Sequence, residues 1–561
     1  MNSFQLQLVE VLRHTGERLR KAGFPGELAV QMERLATEVS QSCVVAVVGK
    51  VKAGKSTFIN ALLGDDLAKV GPTETTATIN YFRYGTPHPD YPVRCYWRSG
   101  NVTDETRKFL DDLQGNDLET LRRADSIDHL EYHVQNRYLE QIILVDTPGT
   151  GAVVEEHQNR TADFLQLYHQ LRHRHDQETQ HIGSKADAVI YLIGETARVN
   201  DLAFLDEFRL VTQGQARSLN AIGVMAKIDL NPEIIERREA LAKKIAEQLQ
   251  NDLNKVIPVS AGIQRTLDNL LAQEQADLKQ FITTLRRIPP ETLDELLSDA
   301  ELYLELDCPL SSAERKQLRG EMPWKVFTTI ASIAADPALD LSMIVEKLQA
   351  IAGFTELHEV LDQHFVRRGG LLRSYRIVND ALKVLNKVKF TYLPANQRRE
   401  AENTIRRKRL LAFIQQVQHV NPVAAKELET FIWEHLSPRT DIKQVVEEME
   451  REIGRIKYEL EDHNTDFEAL VLMENDTTLF LPEELHELQP LFGLYGLEIE
   501  KRVPLPVNSR QILSYLGKRQ QYWDQKSQHG RKTIVRAVAQ QAVRRYGLIV
   551  DALLQNAEDN P

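Results

Sequence analysis

The stretch Gly49–Thr57, GKVKAGKST, constrains this chain more than any other. It fits the pattern G-x-x-x-x-G-K-[ST], and its flanks are those the pattern requires. Val44–Val48 before it is an unbroken apolar run, suited to a strand buried on both faces. Phe58–Gly64 after it reads FINALLG and spaces its apolar residues as a helix does. Strand, glycine turn and helix in that order separate a phosphate-binding loop from a chance glycine-rich turn. Gly49 and Gly54 let the backbone curl until the N–H groups of Lys52, Ala53, Gly54, Lys55, Ser56 and Thr57 point at phosphate oxygens. The helix N-terminus adds its partial positive charge. Lys55 reaches the β- and γ-phosphates, and the Ser56 hydroxyl is placed for Mg2+.

Downstream motifs choose the base. Gln141–Gly149 reads QIILVDTPG: a buried strand over Ile142–Val145, then Asp146, placed to hold Mg2+ through a water, and Gly149, whose N–H senses a γ-phosphate. Ala188–Ile193 (AVIYLI) reads as another core strand. A further one, Ile222–Met225, runs into Ala226-Lys227-Ile228-Asp229, close to the guanine motif [NT]-K-x-D. The Asp229 carboxylate accepts from N1 and N2 of guanine, an edge adenine lacks, and the Lys227 stem lies along the base plane. Val256–Ala261 ends a last strand with Ser260-Ala261, where a backbone N–H meets guanine O6. Four motifs in this order, each closing an apolar run, favour GTP over ATP. An ATPase of the same loop class is the alternative.

Between the loop and DTPG lies GPTETTATI, Gly71–Ile79, which must supply a Mg2+-coordinating threonine. The run G-x-x-x-A-G-K-S-T-x-I-N-A-L-L-G followed by P-T-x-T-T-A-x-I resembles bacterial dynamin-like proteins, large GTPases with a helical stalk that remodel membranes. The resemblance implies an α/β P-loop GTPase domain, its mostly parallel sheet between helices, plus an elongated all-α helical-bundle stalk. It makes Thr76 the first choice of switch ligand, with Thr75 next, so that Ser56, Thr76 and Asp146 form the metal set and Lys55, Thr76 and Gly149 the catalytic one. It also implies GTP/GDP and Mg2+ as ligands, self-association through the GTPase domain, a second dynamin-like chain as partner, and peripheral membrane contact. Two positions depart from the pattern. Val51 stands where dynamins of eukaryotes place a glutamine beside the attacking water, and Ala226 replaces the Asn or Thr of the base motif. The second removes about 1 kcal/mol of hydrogen bonding. Slow turnover is expected.

Composition excludes other classes. The net charge of −12 argues against a nucleic-acid partner. Cys43, Cys95 and Cys308 are too scattered for a disulfide framework or a zinc site. The N-terminus lacks a signal-peptide pattern and no apolar run approaches the ~20 residues of a membrane span. A cytoplasmic protein, peripheral at a membrane at most, is the expectation. His169, His173, His175 and His181 have helical spacing in part but no completing carboxylate or cysteine, so a polar loop stands beside a metal site.

The expected organisation is N-terminal helices over 1–40 that pack in the stalk, a GTPase domain over 41–366 with a helical insertion at 265–320, and a helical bundle over 367–561. Helical periodicity covers Leu371–Val388, Glu400–Leu436, Ile442–Leu472 and Ser509–Leu554. Residues 478–507 are interrupted by Pro482, Pro490, Pro504 and Pro506 and hold Leu491, Phe492, Leu494 and Tyr495. By family resemblance this is a membrane paddle. A hairpin capping the bundle fits the residues too, and local glutamates disfavour anionic lipid there. Basic clusters around Arg367 and Arg406 offer a second lipid surface or a solvated face. A regulatory GTPase with a helical interaction arm, or a nucleotide-binding structural protein with little hydrolysis, is the alternative function.

Overall fold

The computed structural model describes residues 3–49, 53–64, 78–113, 118–147, 186–194, 221–249, 253, 255–272, 275–366, 368–436, 442–475, 477–506 and 509–559. They divide into two units, residues 42–369 and residues 1–41 with 370–561.

The first unit is built on one sheet. Its strands in chain order are β1 Cys43–Gly49, β2 Ile79–Tyr84, β3 Val93–Trp97, β4 Val102–Glu105 and β5 Ile127–Val134, then β6 Ile142–Asp146, β7 Ala188–Ile193, β8 Ala221–Met225 and β9 Val256–Pro258. Among the described residues they lie side by side as β4-β3-β5-β2-β6-β1-β7-β8-β9. The half from β6 to β9 is parallel throughout. Its strands are apolar along their whole length and buried, as strands covered on both faces must be. The other half joins through antiparallel pairing of β2 with β6, which sets Asn80 opposite Asp146. The sheet ends on β4, a short VTDE strand whose polar residues blunt an exposed edge. The mostly parallel sheet between helices is therefore as expected; β2, β3, β4 and β5 are additions that the motif reading did not contain.

Helices follow the strand ends. Gly54, at φ 90°, turns the chain into the helix Lys55–Leu63, and left-handed Gly64 closes it with its N–H on Asn60 O. Asn231 and Ser260 cap the helices Pro232–Gln248 and Ala261–Leu271 through side-chain oxygens. From there to residue 366 the chain is helical, packed in part around Phe281, Tyr303, Trp324 and Phe327.

The second unit is all helical. The N-terminal helices Ser3–Lys21 and Gly26–Glu38 pack with the C-terminal ones. Arg18 pairs with Glu448 and Glu452 at 2.7 and 3.0 Å, and Arg376 pairs with Glu38 at 2.9 Å. Gly369–Lys387, Ile442–Asn475, Ile512–His529 and Thr533–Asp559 are its long members. The apolar pattern over Glu400–Leu436 is not one helix but two, Leu393–Val417 and Pro422–His435. Pro422 has no N–H to continue a helix, and Asn421 caps the new one by accepting from Ala424 N. Among the described residues no helix is long and apolar enough to cross a membrane.

Residues 478–507 require a correction. Leu491 and Phe492, expected at a lipid surface, have no exposed area at all. The segment is held down by buried ion pairs. Asp466, on helix Ile442–Asn475, pairs with Arg502 at 2.8 Å and with Arg545 at 2.7 Å, and accepts from Gln541 at 2.7 Å. Arg502 also donates to the backbone oxygens of Leu491 and Leu497. Glu487 accepts from Arg519, Trp523 and Tyr546, and Glu484 from Tyr522 and Lys526. Leu494 is half-buried, and Tyr495 alone of the four is exposed. The paddle reading of Leu491 and Phe492 gives way to a folded cap.

Candidate functional site

The site lies at the C-terminal edge of the parallel half-sheet, where β6 ends in Asp146 and the segments after β1, β8 and β9 carry the other polar residues. β1 delivers Gly49 and the loop. Of the loop, Lys52 lies outside the described residues with Val51, whereas Ala53, Gly54, Lys55, Ser56 and Thr57 lie within them. Lys55 is buried and its Nζ donates to Gly49 O at 3.2 Å, so the ammonium is folded back over the loop.

β6 ends in Asp146, beside β1 in register with Val47. The Ser56 hydroxyl lies 3.5 Å from Asp146 Oδ2. Burial pushes the Asp146 carboxyl up to about 6; Lys55 and hydrogen bonds from Asn80 and Ser56 pull the other way. Its Oδ1 is buried without a hydrogen-bond partner among the described residues. A buried carboxylate oxygen left bare is costly unless something binds there. Thr147, next along, donates from Oγ1 to Val47 O at 2.9 Å and pins the start of the DTPG turn to β1. Thr76 and Gly149 lie outside the described residues.

β8 and β9 bring the second cluster. Lys227 takes a left-handed backbone, φ 64°, and this turns the Ala226–Asp229 segment back toward the loop. A Cβ on Gly54 would sit 3.2 Å from Lys227 Cε, so the lysine stem runs directly over the glycine of the phosphate loop. Asp229 is buried, and the Ser260 hydroxyl donates to its Oδ1 at 2.7 Å. The same Ser260 oxygen accepts from Ile263 N at 3.1 Å, capping the helix that starts at Ala261. Gly262 lies beside Oδ2: a Cβ there would come within 3.5 Å of it, in van der Waals contact.

Lys55, Ser56 and Asp146 thus form one cluster, and Lys227, Asp229, Ser260 and Ala261 a second, with the Lys227 stem passing close to Gly54 between them. Motif reading missed Asn80. It is a buried polar residue in the otherwise apolar start of β2, hydrogen-bonded to the Asp146 carboxylate, and Thr78 donates to its Oδ1 at 3.3 Å. A polar residue inside an apolar strand run was the available signal. The histidine tract from His169 to His181 lies outside the described residues. Among those described, no three His, Cys, Asp or Glu side chains gather as a metal cage.

Residues 45–228 match the family model described as the Dynamin family. They take in the strands from β1 to β8, the cluster of Lys55, Ser56 and Asp146, and Lys227 of the second cluster, so it is this part of the chain that is similar to the Dynamin family. The chain is 28% identical over 364 residues to the isoniazid-induced protein IniC of Mycobacterium tuberculosis, covering 62% of this chain and 68% of that protein. It is 23% identical over 322 residues to a probable transmembrane GTPase, FZO-like, of Arabidopsis thaliana, covering 54% of this chain but 30% of the other. Among solved structures, an oligomerised bacterial dynamin pair, described as a mechanism for long-range sensing and tethering of membranes, aligns over 99% of this chain and 75% of its own at 15% identity and a TM-score of 0.26. A likeness that distant carries no functional argument.

Proposed function

We propose that this chain binds GTP with Mg2+, hydrolyses it slowly, and couples its nucleotide state to its helical unit in dynamin-type membrane work. The observation that supports this best is the placement of the two polar clusters on either side of the Gly54–Lys227 approach. A phosphate loop with a buried lysine stands on one side, a buried carboxylate held by Ser260 on the other, and the Lys227 stem lies beside the loop glycine between them.

In this reading the loop N–H groups and Lys55 bind the phosphates, and Lys55 leaves Gly49 O to do so. Asp229 Oδ2 and the open side of Oδ1 accept from guanine N1–H and the 2-amino group, with Ser260 fixing the carboxylate plane. Lys227 covers the base. Ser56, Thr76 and Asp146 would hold Mg2+. The donor chemistry fits, since Mg2+ takes few protein oxygens and leaves the rest to phosphate and water, and Asp146 offers an unpartnered buried oxygen. The ion would neutralise phosphate charge. Among the described residues no side chain here is an obvious general base, so in this reading the chain contributes positioning and electrostatics. Val51 and Ala226 account for slow turnover. Face-to-face meeting of two GTPase domains, a second dynamin-like chain and a peripheral membrane surface complete the proposal.

The test is phosphate release from GTP and from ATP at several protein concentrations, with and without vesicles, alongside Lys55→Ala. GTP-selective release that rises with concentration and disappears in Lys55→Ala is expected. Equal use of ATP, or full nucleotide affinity in a folded Lys55→Ala protein, refutes it.

A further inference from the structure

The helices Leu393–Val417 and Pro422–His435 form a hairpin with a small core of its own: Ile414, Ala425, Ile432 and Leu436 are buried, with Leu410 and Leu428 against them. Its outer surface is unusually apolar. At the turn Val420 is 85% exposed and Val423 69%; Phe413 on the first arm is 51% exposed, and Trp433, near the far end of the second, 79%. Side chains of this kind at such exposure lose free energy to water unless something covers them.

On the first arm from Asn403 and at the turn the charge has one sign, while Glu427, Glu429 and Glu434 follow on the second arm. From Asn403 to Lys426 the chain contains no aspartate or glutamate, while Arg406, Arg407, Lys408, Arg409 and Lys426 fall within it. This occurs in a chain whose net charge is −12. Arg407 serves the hairpin itself, donating to Leu436 O at 3.4 Å. Arg406, Lys408 and Arg409 make no ion pair among the described residues. Arg406, Arg409 and Phe413 follow at helical spacing and share a face.

We infer that the apex of this hairpin, around Phe413, Val420 and Val423, docks into the interface of a bilayer containing anionic lipid, with Arg406, Lys408 and Arg409 at the headgroups. Charge complementarity selects this occupant. A second copy of the apex would bring cations against cations. A nucleic acid would satisfy the cations and leave the valines in water. A lipid interface takes apolar side chains and cations on one amphipathic surface. The inference rests on the membrane-directed part of the proposed function, and it moves the contact away from residues 478–507.

The experiment is flotation of the full chain, without nucleotide, with vesicles of phosphatidylcholine alone or mixed with phosphatidylglycerol. Three variants accompany it: Val420→Asp with Val423→Asp; Arg406→Gln with Lys408→Gln and Arg409→Gln; and, as a control in the cap, Tyr495→Asp. All change exposed side chains, and unfolding midpoints check that each is folded. The parent is expected to float with phosphatidylglycerol vesicles and not with phosphatidylcholine alone. The valine pair should abolish flotation. The triple variant should weaken partitioning on the order of 100-fold at low salt, and Tyr495→Asp should float as the parent does. No flotation of the parent, undiminished flotation of the valine pair, or loss confined to Tyr495→Asp overturns the inference. So does a parent oligomer that the valine pair dissociates with flotation unchanged, which would make the apex a contact between copies. GTP release measured on the same variants stays at the parent level, so failure here is distinct from failure of the GTPase reading.

Discussion

Replacing Asp229 by asparagine tests the base site, and the structure sets the size of the effect. The carboxylate is buried, with Oδ1 already accepting from Ser260 at 2.7 Å. A hydrogen bond to a charged group contributes about 1.5–3 kcal/mol. Asparagine removes the charge and turns one acceptor into a donor that faces a guanine donor. GTP affinity should therefore fall about 10–100-fold, and ATP affinity should not change. Ser260→Ala acts on the same carboxylate from behind. It should weaken GTP binding about fivefold, and it also removes the cap on Ile263 N, at a cost of about 1 kcal/mol in stability. The two routes can be separated. In the Asp229→Asn background the Ser260→Ala effect on GTP affinity should shrink, because there is no anion left to orient, while its effect on stability persists. Titration with fluorescent GTP and ATP, with urea unfolding of the four proteins, completes the cycle. An unchanged GTP-over-ATP ratio in Asp229→Asn, or strictly additive affinities, would refute the base-site geometry.

Gly54→Ala forces a left-handed backbone on alanine and sets a Cβ 3.2 Å from Lys227 Cε; nucleotide affinity and stability should each drop by about 1–2 kcal/mol, measured by titration and unfolding. Phe492→Ala should cost about 3–5 kcal/mol in urea unfolding because the ring is fully buried; a loss below about 1 kcal/mol would return the residue to the surface. Burial tends to raise the Asp466 carboxyl, but His463, Arg545 and Arg502 outweigh it and hold it at about 2. The folded value lies below the unfolded one, so this residue's stabilisation is complete above pH ~3.8 and is lost as pH falls toward 2, about 2 kcal/mol in all. Asp466→Ala should remove that acid dependence in pH-resolved unfolding and cost about 3–5 kcal/mol at neutral pH by leaving two arginines buried without a counter-ion.

Legibility followed the range of the interactions. The parallel strands could be read because each is an apolar run that ends in a motif, and strand ends are where such a sheet exposes backbone and side chains to a ligand. Ile79–Tyr84 and Ile127–Val134 were not read. Both mix polar residues such as Arg83, Glu131 and His133 into the strand, and their pairing partners are remote in sequence. Lys55, Ser56, Asp146 and Asp229 stood out as motif letters. Asn80 did not, because its importance comes from the antiparallel register that sets it opposite Asp146. The break at Asn421-Pro422 was written in the chain, but helical periodicity on both sides hid it.

Residues 478–507 and 403–426 show why apolar content alone misplaces a surface. Both contain prolines or a turn with large apolar side chains nearby. Their charges differ in kind. The first segment has both signs, and its partners wait on neighbouring helices: Arg502 finds Asp466, Glu487 finds Arg519, Glu484 finds Lys526. An ion goes into a protein interior only with its counter-ion and hydrogen bonds in place, and here they are in place, so Leu491 and Phe492 can follow into the core. The second segment has cations alone. Folding Phe413 or Val420 inward would drag Arg406, Lys408 or Arg409 toward a low-dielectric interior, and none of these three cations has an ion pair among the described residues. The apolar residues therefore stay outside with the cations, and the compensating charge must come from beyond the chain. The same rule that makes one segment a cap makes the other a surface in want of an anionic partner.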